Sequence, residues 1–292
     1  MSHLARKLIV TGDDFGLTIP VNEAIEEAHQ YGILTAASLM VGAEATRDAV
    51  ERARRLPSLR VGLHVVLVDG RPVLPRDAVP NLIGENGEFS RHLVRAGINF
   101  FIQPGIRRQL EREVRAQFEA FRKTGLPLDH VDCHNHMHLH PTLSGIILRV
   151  GREFSMRAMR LPYEPPFPSW LASRKTLSKK ALTWLFLLPW ITLLKIKFKQ
   201  SSMIWNQFLF GMNDTGRMST ELVLRILKHL PPGVTEIYFH PSTSPWPEAV
   251  KGYDFRAELE ALTSPAIRQA LRTLGVKTIA FSDLSEAEAS SL

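Results

Sequence analysis

Residues 7–16 read Lys-Leu-Ile-Val-Thr-Gly-Asp-Asp-Phe-Gly, a short apolar run that ends in glycine and two adjacent acids. This pattern predicts a β-strand that delivers two carboxylates to its C-terminal end. Adjacent side chains on a strand point in different directions, so one of Asp13 and Asp14 can bind a cation while the other faces water or substrate. Acid pairs before glycine also form turns, which leaves a turn as an equal alternative for this stretch alone.

The same order, an apolar run with a polar residue at or near its end, recurs along the chain. His64 interrupts the apolar residues 60–68, and His240 follows the run Ile-Tyr-Phe. A lone histidine in a strand is more often a core residue with a satisfied hydrogen bond than a ligand. The recurrence of one pattern strengthens the functional interpretation of each occurrence.

Residues 130–140 contain five of the eleven histidines, all at even spacing, together with Asp132. In an extended strand these side chains would share one face, and burying that face in an apolar core would be costly. Imidazole and carboxylate ligands suit a divalent metal, whereas a solvated edge strand or a histidine-rich turn is the alternative. At ~3.3 Å per residue, His134 and His140 cannot share one ion, and composition alone leaves His134, His136 and His138 open as ligands.

Strands and helices alternate along most of the chain, which predicts an α/β fold with a parallel sheet and right-handed crossovers. Strands are predicted at 7–10, 34–41, 60–68, 130–140, 158–161, 235–240 and 276–281. Helices are predicted at 22–31, 45–56, 106–123, 142–154, 219–230 and 256–274, the last with a break at Pro265. Seven strands with polar ends favour one irregular (β/α) barrel domain over residues 1–292, with its site at the C-terminal face of the strands. A doubly wound open sheet is the alternative, and the sequence contains no glycine-rich nucleotide-binding motif.

Composition excludes several classes of protein. Hydrophobic residues make up 45% of the chain and charged residues 22%, as in an ordinary globular protein. Cys133 is the single cysteine, which excludes a disulfide framework and a cysteine-based zinc module and favours a reducing compartment. The N-terminus enters the first predicted strand at once, so we expect no secretory signal and a cytoplasmic location.

Two insertions interrupt the alternation, at residues 69–104 and 165–213. The first is predicted to be rich in loops because it contains several Pro and Gly residues. The second contains seven Lys or Arg residues and no acid; the whole chain has 36 basic against 29 acidic residues, so these seven account for the net charge of +7. It also contains four of the five tryptophans.

The second insertion includes the apolar run 181–194, which is 14 residues long and contains Pro189. A membrane-spanning helix needs about 20 residues, so this run is predicted to lie in one face of a bilayer. The candidate lipid contacts are the aromatic and basic residues Trp170, Trp184, Trp190, Lys179, Lys180, Lys195 and Lys197. A helical hairpin packed on its own barrel or in a homodimer interface is the alternative. Nucleic acid is not expected, because the aliphatic residues would have no partner on a phosphate backbone.

Together the four motifs around Asp13-Asp14, His64, residues 130–138 and His240 resemble the YdjC family of metal-dependent carbohydrate deacetylases. The resemblance covers the predicted strands from end to end, although Gly12 and Cys133 stand where relatives often have Ala and Ser. It implies that Asp14, His64 and His134 bind one divalent metal ion, either Zn²⁺ or Mg²⁺, with Mn²⁺ also compatible. It further implies that Asp13 is the general base, and His240 is the candidate acid that protonates the departing amine. The remaining candidates to orient ligands or bind substrate are Asp132, His136, His138 and Asp283.

The basic, Trp-rich insertion is similar to the branch of that family found in hopanoid biosynthesis (HpnK type). The resemblance implies a hydrolase that removes the N-acetyl group from an N-acetylglucosamine headgroup of a glycolipid, releasing acetate and a free amine. We therefore expect an enzyme peripherally bound to the inner face of the cytoplasmic membrane. The alternatives are a soluble chito-oligosaccharide deacetylase with a dimer interface at the insertion, and a catalytically silent, metal-stabilised binding protein.

Overall fold

The structure, a computed structural model, describes residues 6–284 and is built on a curled parallel sheet that forms a half-barrel. The strands are β1 (Arg6–Phe15), β2 (Ala36–Leu39), β3 (Arg60–Val65), β4 (Val131–Cys133), β5 (Phe208–Phe210), β6 (Gly233–Phe239) and β7 (Lys277–Ile279). Their order is β4-β3-β2-β1-β6-β5, with β7 also paired to β1, and every pairing between them is parallel. The predicted α/β class and the count of seven strands are confirmed.

Helices cover the outside of the sheet and connect its strands. They are α1 (Ile19–Tyr31), α2 (Thr46–Arg55), α3 (Leu93–Ile102), α4 (Pro104–Lys123), α5 (Pro141–Glu153), α6 (Pro166–Ser173), α7 (Leu177–Gln200), α8 (Thr220–Lys228), α9 (Phe255–Thr263) and α10 (Pro265–Thr273). Helix α1 begins three residues before its predicted start at residue 22, with the Thr18 side chain as its cap, and Ser219, the predicted start of α8, caps that helix. The break predicted at Pro265 separates α9 from α10, because proline has no N–H to continue a helix.

Strand β1 lies at the centre of the sheet and is buried from Leu8 onward. Residues 6–12 pair with β6, while the register with β2 shifts between Gly12 and Phe15. Asp14 lies within this irregular stretch and has a φ of 63°. Left-handed backbone is uncommon for a residue other than glycine, and such residues cluster at functional sites. The irregularity lets two consecutive carboxylates leave the strand toward the same group of polar side chains.

The prediction of a long histidine-bearing strand at 130–140 is wrong. Only Val131–Cys133 is extended, and a 3-10 helix runs from His134 to Leu139 with Asn135 and His136 in left-handed backbone. Pro141 then begins α5, which leaves no room for more strand. The histidines therefore do not share one face. The predicted strand 158–161 forms only isolated bridges, and β5 is the strand that the sequence analysis missed.

Both insertions contain helices. Residues 69–104 include α3, which was not predicted, and residues 165–213 include α6 and α7. Helix α7 has 24 residues and extends beyond the 14-residue apolar run at both ends, with Pro189 inside it. Within residues 6–284, it alone has the length and hydropathy of a membrane-crossing helix, and 17% of its most apolar window is buried. Length and composition are weak evidence for crossing, and α7 packs against other helices of the protein.

Candidate metal centre at the strand ends

Three predicted ligands from β1, β3 and the turn after β4 meet at the C-terminal edge of the sheet. Asp14 Oδ1 lies 3.1 Å from His134 Nδ1 and 3.4 Å from His64 Nε2, and the two histidine nitrogens are 3.3 Å apart. Parallel strands end at one edge, which is why residues separated by up to 120 positions converge. These atoms form a nearly equilateral triangle.

The triangle has the dimensions of one face of a metal coordination sphere. Ligands bound at about 2.0–2.2 Å in tetrahedral or octahedral geometry lie roughly 3.0–3.5 Å from one another. His64 Nδ1 is 2.8 Å from Asp132 Oδ1, so Nδ1 donates to Asp132 and Nε2 faces the triangle, where a metal ion would take the place of a proton. One carboxylate and two imidazoles at these separations suit a divalent cation and leave coordination positions open for water and substrate.

Charge at this point also favours a cation. Burial disfavours the charged form of His64, yet Asp132 and Asp14 outweigh it and raise the pKa of His64 to about 10. Burial also opposes ionisation of Asp14, but His134 and His64 hold the pKa of that carboxyl well below its usual range. The negative charge that stabilises a proton on His64 would stabilise a metal ion in the same place.

Arg160 organises the carboxylates beside the triangle. Its guanidinium is fully buried and donates to both oxygens of Asp13, at 2.7 and 2.8 Å. It also lies 2.6 Å from Asp132 Oδ2 and 2.9 Å from Glu236 Oε1. A planar, permanently charged guanidinium can bind several carboxylates at once, which lysine cannot do with one ammonium. We call Asp13, Asp14, His64, Asp132, His134 and Arg160 the strand-end centre.

The net charge of the strand-end centre matches a divalent ion. Burial raises the pKa of Glu236, although Arg160 lowers it, and among residues 6–284 its Oε2 has no hydrogen-bond partner. Within the strand-end centre, when His64 and His134 are neutral as metal ligands are, three aspartates (Asp13, Asp14 and Asp132) oppose Arg160 alone, which leaves two negative charges. Two uncompensated charges in a buried site are costly, and a divalent cation would neutralise them.

A further layer of contacts fixes Asp132. Ser38 Oγ donates to Asp132 Oδ2 at 2.9 Å and lies 3.1 Å from His130 Nε2. His130 in turn lies 2.9 Å from Asp129 Oδ2 and stacks on Phe281. This chain of contacts holds the carboxylate that orients His64.

The other predicted site residues lie at different distances from the centre. The His240 ring stands edge to face with Tyr238 and against Tyr253, and charge on His240 lowers the pKa of Asp14. His136 Nε2 is 3.1 Å from the Tyr238 hydroxyl. His138 Nε2 donates to the backbone carbonyl of Arg160 at 3.0 Å, and burial lowers its pKa to about 3. His138 is therefore neutral and supports Arg160.

Asp283 does not reach the centre. It is exposed, and its carboxylate accepts from the backbone N–H of Ala280, which closes a short 3-10 helix. The adjacent Ser282 is the residue in this segment that supports the site, because its N–H donates to Asp129 at 3.0 Å. The prediction that Asp283 orients ligands or binds substrate is therefore replaced by this contact of Ser282.

Several predicted lipid contacts are used inside the protein. Lys180 is buried in an ion pair with Asp214 at 2.8 Å, and Lys197 donates to the Pro141 carbonyl and Ser144. Lys195 packs over the ring of Tyr163. Trp170 and Trp184 are half-buried, whereas Trp190 and Lys179 are exposed. The prediction that Lys180 faces lipid is wrong, because Lys180 is buried and paired with Asp214. The lack of acids in residues 165–213 suggested that prediction, and Asp214 lies one residue beyond that segment.

Sequence reasoning missed Arg160 and Glu236. Glu236 carried a usable signal, since a charged residue inside the apolar strand Gly233–Phe239 requires a buried partner. Arg160 carried the same signal, because it lies inside the predicted strand 158–161, but its partners lie far away in sequence.

An open cleft of about 280 Å³ leads from Asp14 and His134 to the surface. Its walls include aromatic residues and charged residues; the former are Trp246, Tyr253 and Phe255, and the latter, besides Asp14, are Glu44, Asp69, Arg71, Glu88, Arg91 and Glu248. Aromatic faces with polar groups around them suit a small polar ligand that also has apolar faces.

Comparison with known proteins identifies related sequences and folds. A sequence model described as "YdjC-like protein" matches residues 7–273. A carbohydrate deacetylase from Brevibacillus brevis is 40% identical over 164 residues, which are 55% of this chain and 60% of that protein. One from Geobacillus stearothermophilus is 39% identical over 165 residues, 56% of this chain and 60% of that protein. The chain thus spans about 60% of the length of these curated relatives.

The fold has a solved counterpart. The crystal structure of a candidate cellobiose-phosphate cleavage protein from Enterococcus faecalis has a TM-score of 0.71 to this chain at 25% identity. The match covers 96% of this chain and 99% of that one. The half-barrel with its insertions is therefore a fold that occurs in another protein over nearly its full length.

Proposed function

This chain belongs to the YdjC-like protein family, and from that premise we propose that it is a metal-dependent carbohydrate N-deacetylase. The observation that carries the proposal is the triangle of Asp14, His64 and His134 with Asp13 held beside it by Arg160. Curated relatives named carbohydrate deacetylases support the reaction class. The reaction is hydrolysis of an acetamide, which yields acetate and a free amine.

Each residue of the strand-end centre has a distinct role in this reaction. A divalent cation held by Asp14, His64 and His134 would acidify water and polarise the acetamide carbonyl. Asp13 accepts the proton of the attacking water; its two oxygens have about four acceptor positions, so the bonds from Arg160 leave others free. His240 donates a proton to the nitrogen as the C–N bond breaks, because an unprotonated amide nitrogen is a poor leaving group. Asp132 keeps His64 in the tautomer that points Nε2 at the triangle.

We further propose that the acetylated sugar is an N-acetylglucosamine headgroup of a glycosylated lipid, of the hopanoid type. The support is the exposed apolar helix α7, together with the absence of acids from residues 165–213. A soluble chito-oligosaccharide is the second candidate substrate, and the name of the curated relatives favours it. The two substrates share the acetamide, so the strand-end centre serves either.

Acetate release from N-acetylglucosaminyl hopanoid and from chitobiose, measured side by side, tests both statements. The enzyme is assayed after chelation and again after Zn²⁺, Mg²⁺ or Mn²⁺ is restored, with bound metal quantified by mass spectrometry. We expect turnover only with metal. Turnover of the lipid alone supports the hopanoid substrate, and turnover of chitobiose alone replaces it with the soluble one.

Two variants separate metal binding from catalysis. Asp14→Ala should lose bound metal, while Asp13→Asn should keep the metal and lose turnover. Asp283→Asn is the matched control, because this aspartate caps a 3-10 helix away from the centre and its loss should affect neither measurement. A wild type that binds metal but releases no acetate from any acetylated sugar tested would instead indicate a silent, metal-stabilised binding protein.

A further inference from the structure

Helix α3 presents a row of apolar side chains to solvent. Val94, Ile98 and Ile102 are 78%, 52% and 70% exposed, and Phe101 is 41% exposed. Spacings of four, seven and eight residues place these side chains on one face of the helix. The opposite face of α3 is buried through Ala96 and Phe100. The exposed row is therefore not turned toward the core of this protein.

Helix α7 has an exposed apolar row of the same kind. Leu182, Leu185 and Phe186 are 68%, 60% and 72% exposed, and Trp190 is 36% exposed. Their spacing again places them on one side of a helix. Scattered surface apolar residues are ordinary, but two rows of large ones on neighbouring helices call for an occupant.

The two rows form one surface. The rings of Phe101 and Trp190 lie 6.3 Å apart, centroid to centroid, which joins the row on α3 to the row on α7 at this point. We call these eight residues the α3–α7 surface: Val94, Ile98, Phe101, Ile102, Leu182, Leu185, Phe186 and Trp190. The rings of His140 and Phe101 lie 4.0 Å apart, centroid to centroid. His140 directly follows the turn His134–Leu139. The surface thus adjoins the segment that carries a proposed metal ligand.

The two segments that carry the α3–α7 surface contain cations and no acid. Residues 92–110 contain Arg95, Arg107 and Arg108 and no acid, and residues 165–213 also contain no acid. The exposed cations beside α7 are Arg174, Lys175, Lys179 and Lys199. Apolar and aromatic side chains flanked by cations are typical of helices that lie in the interface of an anionic bilayer.

Other occupants fit less well. A two-fold contact between copies places the same patch on both sides, so cations from the two acid-free segments would face cations. A membrane-spanning role for α7 conflicts with its inner face, where Ile191, Leu194 and Phe198 are buried in the protein. The Lys180–Asp214 ion pair also anchors the start of α7.

We propose that the α3–α7 surface docks the protein on an anionic lipid bilayer, with α3 as a second contact helix beside α7. The inference extends the lipid-linked substrate of the proposed function, but vesicle binding can be measured without any acetate release. The two statements can therefore fail separately.

Co-sedimentation with phosphatidylglycerol–phosphatidylcholine vesicles tests the proposal. One variant combines Val94→Ser, Ile98→Ser and Ile102→Ser, and another combines Leu182→Ser and Phe186→Ser. Serine removes apolar area without adding charge and has nearly the helix propensity of the valine, isoleucine and phenylalanine replaced; only Leu182 has a higher one. We expect each variant to bind about tenfold or more weakly than wild type, since the buried apolar area drives insertion. Wild-type binding should also weaken on pure phosphatidylcholine vesicles.

Tyr31→Ser is the matched control, because Tyr31 is 65% exposed at the end of α1 and lies outside the surface. It should bind vesicles as wild type does. Wild type that ignores anionic vesicles overturns the proposal, and so does an α3 variant that binds normally while the α7 variant does not. Sedimentation equilibrium completes the test: a wild-type dimer that the same substitutions dissociate, without vesicle binding, makes a second copy the occupant.

Discussion

The strand-end centre and the α3–α7 surface differ in which side chains they bury. In the centre, polar groups are buried and almost every one has a partner: Arg160 alone joins Asp13, Asp132 and Glu236. On the α3–α7 surface, large apolar side chains are exposed. The segments that carry them, residues 92–110 and 165–213, contain cations but no acid. A buried ionic group is costly when a partner is lost, whereas an exposed apolar group contributes little to folding. The difference indicates that the fold requires the strand-end centre, whereas the α3–α7 surface is left for an external partner.

The largest expected effect comes from removing the guanidinium of the centre. Arg160→Met should lower the free energy of unfolding by about 3–5 kcal/mol, because it leaves buried carboxylates without their cation. Urea denaturation measures this, and Arg160→Lys should lose less since it retains a charge. The control is Arg149→Met, whose ion pair with Glu111 is exposed and should be worth about 0–1 kcal/mol. If the two methionine variants lose the same stability, the buried ion pairs of Arg160 are worth no more than the exposed pair of Arg149 with Glu111.

The sequence alone predicted the parts of the centre that lie at strand ends. Asp13-Asp14 follow an apolar run and His64 lies within one, and parallel strands bring such positions to one edge. Composition left His134, His136 and His138 open, and the resemblance to the YdjC family selected His134. The role of Asp14, His64 and His134 as metal ligands stays a prediction. Arg160 was missed because its partners are 147 and 76 positions away in sequence, so a charged residue in the predicted strand 158–161 does not reveal which carboxylates it binds.

For the α3–α7 surface, composition located one of the two segments but did not predict which side chains are exposed. Charge and tryptophan content identified residues 165–213, but not which side chains face out: Lys180 is buried, and Phe186 is exposed. The insertion 69–104 was expected to be loops, because Pro and Gly obscured the ten residues of α3. The exposed face of each helix depends on what packs behind it, which composition does not record.

The second prediction concerns how closely the support of the centre is packed. A Cβ at Gly62 would lie 2.5–2.6 Å from the His130 ring, which must then move away from Ser38. Gly62→Ala should therefore cost about 1–3 kcal/mol in the free energy of unfolding, as overpacking does in cores. Gly105→Ala is the control, since nothing lies within 4 Å of its added Cβ. Thermal denaturation of both variants checks this, and a Gly62→Ala protein as stable as the control would mean that His130 is free to shift.

The third prediction uses pH at the boundary between the two regions. Burial lowers the pKa of His140 to about 4; Lys197 and Arg107 act in the same direction, and the backbone of Gly97 opposes them. The unfolded chain takes up a proton near pH 6.5 that the folded chain excludes, so this histidine costs stability as the pH falls from about 7 toward 4. With partial exposure, we expect His140→Leu to reduce the loss of stability between pH 7 and pH 5 by about 1 kcal/mol.

Urea denaturation at both pH values measures the effect of His140→Leu. His138 is fully buried and has the same sign of shift, so some acid sensitivity should remain in the variant. His229→Leu is the control, because this histidine ends α8 far from the turn His134–Leu139. If His140→Leu leaves the pH dependence unchanged, the His140 ring of the wild type takes up a proton in the folded chain as readily as in the unfolded one. Its contacts with Phe100 and Phe101 would then tolerate the charge.

The smallest expected effect on stability is that of the serine variants, and it tests the difference between the two regions most directly. The serine variants of the α3–α7 surface should change the free energy of unfolding by no more than about 0.5 kcal/mol per substitution, because these side chains are already exposed in the folded protein. The same variants should lose vesicle binding. A large loss of stability would mean that the rows are covered within the folded protein or by a second copy. Retained stability with lost binding would show that the apolar side chains serve an external surface, in contrast to the buried charges of the strand-end centre.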